Sequence, residues 1–374
     1  MKIIVFGLSI SSAWGNGHAT LLRGLFRALH AQGHEIHFFE RDTPYYAAHR
    51  DAPRLPYVNI HLYSEWSEIQ RSVKHLVGDS DIAMVTSYCP DGAAACEMVL
   101  AGSQNRSVFY DLDTPVTLSR LAQGDVPPYL PREGLGGFDL VLSYTGGEAI
   151  YRLRSNLGAR KVASLYGWVD PEIHSRVPPC PEFSSDLSYL GTYAADRQQS
   201  LEELFIEAAS NLPSRRFVIA GAMYPSPGRW PSNIRYFPHI APPQHSSFYS
   251  SSPLTLSVTR GTMAAMGYCP SGRLFEAAAC GTAVLSDWWE GLETFFTPGQ
   301  EILVTRSPAE TITAVTTDSE LLAQVGSRAK ERALDCHTAA HRAQRLIELI
   351  DRSVEIDEEW NRVRPAHSLS PAKI

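Results

Sequence analysis

The residues best suited to chemistry in this chain are Glu276 and the short segment Pro270-Ser271-Gly272-Arg273 before it. Glu276 sits among Leu274, Phe275 and three alanines, where a core helix would be wholly apolar. An ionised carboxylate in such surroundings is costly unless it reaches water or a polar ligand. Ser271 and Gly272 suit the start of a helix whose unpaired N–H groups can hold an anion, and Gly281 is placed to end that helix. Leu274, Ala277, Ala278 and Gly281 share one face by i, i+3, i+4 spacing, and Glu276 falls off it, one turn in. A carboxylate there can accept hydrogen bonds from the two vicinal hydroxyls of a ribose while the helix end and Arg273 hold a phosphate. The purely structural alternative is a partner for the helix dipole or for Arg273.

Three further groups have the right types and spacing. Gly15-Asn16-Gly17-His18 lies between a first strand and a first helix, where glycines let backbone approach a ligand and the helix start offers N–H groups. The spacing is not G-x-G-x-x-G and no P-loop lysine follows, which speaks against a dinucleotide. A plain tight turn, with His18 on the surface, is the other reading. Asp111 and Asp113, at i and i+2, end a strand. Such acids can hold a divalent ion, contact an acceptor or sugar, or cap the turn begun by Thr114-Pro115; no metal is expected here. Gly191-Thr192-Tyr193, followed by Arg197, falls at the carboxyl end of another strand, where open α/β sheets bind ligands. A guanidinium there suits a diphosphate through bidentate bonds, or is a solvated helix-start residue.

These groups need elements to position them. KIIVFGL, the Gly-rich loop, the amphipathic HATLLRGLFRALHAQG and HEIHFFE make a βαβ unit, so a parallel sheet is expected. Buried-strand patterns at 58–63, 82–87, 106–111 and 139–144 extend it into a doubly wound domain over residues 1–165. Residues 166–185, dense in Pro and Ser, read as a linker. Strand and helix alternate again over 186–340, a second Rossmann-like domain, and 341–374 are expected as a C-terminal helix and tail packing back on the first domain. No periodicity is visible after about residue 356.

Composition narrows the function classes. A length of 374 residues favours two domains with a cleft between them. A net charge of −7 with 20% charged residues excludes nucleic acid as the main partner. The six cysteines show no C-x-x-C pair and read as reduced thiols of a cytoplasmic protein. MKIIVFGLSI is a buried strand rather than a signal peptide, and no run approaches the ~18 apolar residues of a membrane span.

The segment Gly272-Arg-Leu-Phe-Glu-Ala-Ala-Ala-Cys-Gly281, with Ala-Val-Leu-Ser-Asp and then Gly-Leu-Glu and Phe-Phe-Thr-Pro-Gly-Gln-Glu-Ile downstream, resembles the C-terminal half of CgeB-like glycosyltransferases. These are a branch of the GT-B fold, two Rossmann-like domains facing each other across a cleft. Gly167-Trp168-Val169-Asp170-Pro171 is similar to the segment joining the domains of retaining GT-B enzymes, Gly191 to Arg197 to their diphosphate-gripping loop, and residues 31–40 to their first αβ turn.

The resemblance implies transfer of a sugar from a nucleoside-diphosphate donor to an unidentified acceptor, without metal or added cofactor. It places the donor mainly on the second domain. Glu276 matches the second Glu of the family's Glu-x7-Glu motif, associated with the ribose; Tyr268 stands where the wider family has the first, associated with the donor sugar. His239 falls in the nucleobase region. Arg197, Arg260, Arg273 and the 271–273 helix end would meet the leaving diphosphate, and Gly15 to His18 would close over it from the other domain. Asp111 or Asp113 is the base if the reaction inverts, with His18 as a further catalytic candidate. Trp288 and Trp289 are core or rim aromatics or a sugar platform, and Glu290 and Glu293 are cleft candidates. Two alternatives accompany this reading: a catalytically silent nucleotide-sugar-binding protein of the same fold, and a nicotinamide-dependent sugar-nucleotide-modifying enzyme.

Overall fold

The computed structural model describes residues 1–102, 105–225 and 230–351. The irregular tail expected after residue 356 lies outside the described residues. Seven strands form the first sheet: β1 (Lys2–Gly7), β2 (Glu35–Arg41), β3 (Asn59–Tyr63), β4 (Ile82–Thr86), β5 (Arg106–Asp111), β6 (Leu140–Ser143) and β7 (Val162–Ser164). All pairings are parallel, in the order β3-β2-β1-β4-β5-β6-β7. Such sheets are covered by helices on both faces, which is why β4 is buried at every residue and reads as an unbroken apolar run apart from Thr86.

The second sheet contains β8 (Leu187–Leu190), β9 (Phe217–Ala220), β10 (Ile234–Phe237), β11 (Leu254–Ser257), β12 (Ala283–Asp287) and β13 (Leu303–Thr305). Its order, β10-β9-β8-β11-β12-β13, repeats that of the first sheet, again all parallel. In each sheet the strand order reverses beside the first strand, between β1 and β4 and between β8 and β11. The crevice at such a switch point is where α/β sheets take ligands. β7 was not expected: three residues at a sheet edge are too few to show a pattern.

The chain crosses between the domains twice, and the two crossings run side by side. The Val169 N–H donates to His337 O at 2.9 Å, and the Ala339 N–H returns to Val169 O at 2.8 Å. Trp168 anchors this crossing to the first domain, its indole N–H donating to Leu21 O at 3.0 Å, while Arg27 pairs with Asp170. The helix Ala339–Asp351 then lies against the helix Gly17–Ala31, adding Ala343, Leu346 and Leu349 to the core that holds Leu22, Leu25 and Leu29. The last helix thus belongs to the core of the first domain, and the interface is covalently closed on one side.

His337 sits at this crossing. The Arg342 guanidinium donates to its Nδ1 at 2.9 Å, so Nε2 carries the hydrogen and donates to Phe295 O at 3.2 Å. Burial, reinforced by Arg342, pushes its pKa down to about 3. The neutral ring is native, whereas the unfolded chain takes up a proton below about pH 6.5. The unfolded state therefore binds more protons between these values, and stability falls as pH drops through that window, by roughly 3 kcal/mol at pH 4. Chemical denaturation between pH 4 and 7 checks this: His337→Gln should flatten the slope, and an unaltered slope would assign it to other groups.

Candidate active site

The two switch points face each other across a cavity of about 310 Å³. The first domain lines it with Gly15, Asn16, Gly17, His18, Asp113 and Tyr144; the second contributes Gly191, Arg197, His239, Arg260, Ser271, Gly272, Arg273 and Glu276. Gly15, Asn16, Gly17, Arg197, His239, Arg260, Ser271, Gly272, Arg273 and Glu276, the donor-side candidates of the sequence, all line this cavity. Asp111 does not.

Asp111 is fully buried at the end of β5, where its Oδ1 accepts from the Asp113 N–H and the Thr117 hydroxyl, both at 3.1 Å. Burial pushes its pKa up to about 6, against these hydrogen bonds. It holds the turn rather than facing a substrate, which removes it as a base. Asp113, two residues on, turns into the cleft: its Oδ2 accepts the Tyr88 hydroxyl at 2.8 Å and lies 3.7 Å from His18 Nε2. His18 also stacks on Tyr88, their ring centroids 5.6 Å apart. The acid of the Asp-x-Asp pair that can act is therefore the one beyond the strand.

The Gly-rich loop is held from below by Glu40, a residue that sequence reasoning missed. Glu40 is fully buried at the end of β2 and accepts from the Ser9 and Ser11 hydroxyls and from the N–H groups of Ile10 and Ser11. These partners lie some thirty residues away in sequence, so no local signal marks them. Asn16 turns its amide to Ser9 O at 3.0 Å and shapes the loop. Trp14 reaches across the cleft, its ring centroid 4.4 Å from that of His239.

On the second domain, Arg197 and Arg273 both lie over the Tyr189 ring, 5.8 and 5.3 Å from its centroid. They flank the loop after β8. A Cβ on Gly191 would stand 2.7 Å from the Tyr189 hydroxyl and 2.8 Å from Arg273 Nη2, so a side chain there would have to displace the ends of both. Arg197 donates to Thr192 O. Burial, with repulsion from Arg273 and Arg260, holds Arg197 below its ordinary pKa. Burial also opposes the charge of Arg273, but Tyr189, Tyr249 and Glu276 overcome it and hold the group above its usual value. Crowded guanidinium groups of this kind suit an anion with oxygens on several sides. Arg260 contributes less free charge, because its Nε pairs with Asp196 at 3.1 Å.

The helix Gly272–Ala279 starts at the cavity wall. Ser271 occupies its N-cap position without a side-chain capping bond. Glu276 lies one turn in, its side chain 15% exposed. The Tyr249 hydroxyl donates to its Oε2 at 3.4 Å, and His174 Nε2 lies 4.0 Å from its Oε1. Both contacts are long, so the carboxylate keeps capacity for a ligand in the cleft.

Tyr268 is taken up by the domain interface. It has φ +46°, its O accepts the Gly146 N–H at 2.9 Å, and its ring lies where a Cβ on Gly291 would be, 2.5 Å away. Trp289 is buried in the second core, and Trp288 stands at the surface with Arg306 5.6 Å from its ring centroid. The tryptophans are thus a core and a rim aromatic rather than a sugar platform, and Glu290 and Glu293, which do not line the cavity, leave the set of cleft candidates.

Comparison with known proteins fits this geometry. Residues 197–348 match the family described as glycosyl transferase-like. Sucrose-phosphate synthase from Thermosynechococcus elongatus superposes with a TM-score of 0.68 over 94% of this chain and 98% of its own, at 13% identity. The chain has the GT-B fold. Residues 197–348 thus carry a glycosyl transferase-like domain set in that fold. Anabaena HepE in complex with UDP-glucose aligns at a TM-score of 0.64 and 12% identity, covering 94% of this chain and 100% of its own. An α-glucosyltransferase in complex with UDP aligns at 0.64 and 13%, with the same coverage of both chains. No curated protein sequence matches the chain significantly. No described helix is long and apolar enough to cross a membrane.

Proposed function

We propose that this GT-B protein transfers a sugar from a nucleoside-diphosphate donor, of the UDP type, to an unidentified acceptor, along the lines of the CgeB-like branch its sequence resembles. The observation that carries the reading is the placement of Arg273, Arg197, the Gly272 helix start and Glu276 on one wall of the cleft. Glycosyl transfer breaks the bond between the anomeric carbon and the diphosphate oxygen, leaving negative charge on the leaving group. Arg273 and Arg197 are already in place to receive that charge, and pre-placed charge needs no reorganisation as the bond breaks. Glu276 accepts from the ribose hydroxyls, His239 and Trp14 flank the base, and the Gly15–His18 loop covers the sugar and phosphates from the opposite domain. The net charge of −7 favours a neutral or cationic acceptor over a polyanion. All six cysteines are free thiols, in keeping with action in the cytoplasm.

Asp113, with His18 beside it, is the group placed to take the acceptor's proton in an inverting transfer. Asp113→Asn is expected to lower kcat about 10²-fold or more while leaving the Kd for UDP near the parent's. Equal kcat in a steady-state assay would remove Asp113 from the catalytic set.

Incubation with UDP-, dTDP- and GDP-sugars tests the reading as a whole. Thermal stabilisation by a nucleoside diphosphate together with slow release of free sugar is the expected result. Stabilisation by NAD alone would contradict it, and stabilisation by nucleotide without turnover of any sugar would leave only a binding protein.

A further inference from the structure

Beside Glu276 stand two histidines that the donor reading does not use, and one of them, His245, lines the same cavity. His174, His245 and Glu276 each offer a ligand atom, and these atoms lie within 4.8 Å of one another. His174 is 1% exposed, and neither of its ring nitrogens has a hydrogen-bond partner among the described residues. His245 Nε2 lies 3.2 Å from Ile240 O, so Nε2 carries the hydrogen and donates to that carbonyl. Its Nδ1 is then an unprotonated lone pair, buried and also without a partner. A ring nitrogen fixed by a backbone carbonyl, with the other nitrogen bare, is the arrangement that orients a metal-bound histidine.

We propose that His174, His245 and Glu276 form a binding site for a divalent transition-metal ion of the zinc class, with its open coordination position toward the cleft. Two imidazoles and one carboxylate suit a borderline ion such as Zn²⁺, whereas Mg²⁺ and Ca²⁺ call for oxygen ligands throughout. Three protein ligands and one open position are the pattern of a zinc site that admits an exogenous ligand. Bonds of 2.0–2.1 Å put tetrahedral ligands roughly 3.3 Å apart. The site therefore draws together when it fills, and the 4.0 Å gap between His174 Nε2 and Glu276 Oε1 is where this begins. The ion takes Oε1, while Oε2, next to the Tyr249 hydroxyl, stays available to the donor.

The site shares Glu276 with the donor reading, so its test uses a readout that needs no nucleotide. The full chain, prepared without a histidine tag and stripped with a chelator, is titrated with Zn²⁺ by calorimetry and with Co²⁺ by absorption in the d–d region. About one equivalent is expected, together with a tetrahedral cobalt band and a rise in Tm. His174→Ala and His245→Ala should each weaken binding at least about tenfold. His174→Gln and His245→Gln serve where an alanine variant fails to fold. Two results overturn the proposal: no Zn²⁺ bound at micromolar concentration by the folded parent, or unchanged stoichiometry and affinity in folded His174 and His245 variants. If the zinc-loaded parent binds metal but no nucleoside diphosphate, the donor reading fails and the metal site stands.

Discussion

In the metal-free protein, Glu276→Ala is expected to weaken binding of UDP about 10²- to 10³-fold while moving Tm by no more than about 2 °C. Two charge-assisted hydrogen bonds to the ribose are worth roughly 3–4 kcal/mol together, which corresponds to that loss. The stability effect is small because the protein contacts of Glu276 are long, 3.4 Å from Tyr249 and 4.0 Å from His174. Calorimetry with UDP and with 2′-deoxy-UDP locates the contact. The parent should favour UDP strongly, and Glu276→Ala should bring the two close together. A large fall in Tm with unchanged affinity would instead make Glu276 a structural residue that happens to border the cleft.

Arg273→Ala is expected to lower kcat/KM about 10²- to 10³-fold, with most of the loss in kcat. The reason is that charge on the leaving diphosphate grows as the glycosidic bond breaks, so a guanidinium beside it binds the transition state better than the ground state. Arg273→Lys should restore only part of the rate, since an ammonium lacks the planar fork that grips two oxygens at once. Gly191→Ala should cost less than Arg273→Ala and remove no charge, because the added Cβ, 2.7 Å from the Tyr189 hydroxyl and 2.8 Å from Arg273 Nη2, shifts only the ends of these side chains. Steady-state kinetics with a fixed donor separate the outcomes: a change confined to KM would mean that Arg273 only binds substrate.

What could be read from the sequence followed from how local the signals were. The helix bearing Glu276 was visible because its start, its small-residue face and its terminating Gly281 lie within a dozen residues. Both Rossmann-like units showed themselves through alternation of short apolar runs with amphipathic helices. Asp111 and Asp113 were equivalent on paper, and only the end of β5 at Asp111 decides that the first is enclosed and the second enters the cleft. Arg260 looked as free as Arg273, yet Asp196, sixty-four residues earlier, takes its charge. Glu40 and His174 escaped notice for the same reason: the polar groups around them come from segments distant in sequence, and neither residue sits in a run that marks it. Tyr268 was visible as a departure from the wider family. Its place between Gly146 and Gly291 shows that this side chain closes the interface of the two domains.

The most direct test of the central claim is a crystal structure of the chain with UDP. The predicted result has both ribose hydroxyls within about 3 Å of the Glu276 carboxylate and the diphosphate between Arg273, Arg197 and the N–H groups that begin the Gly272–Ala279 helix. A nucleotide held on the first domain by the Gly15–His18 loop, with Glu276 out of hydrogen-bonding reach, would contradict it.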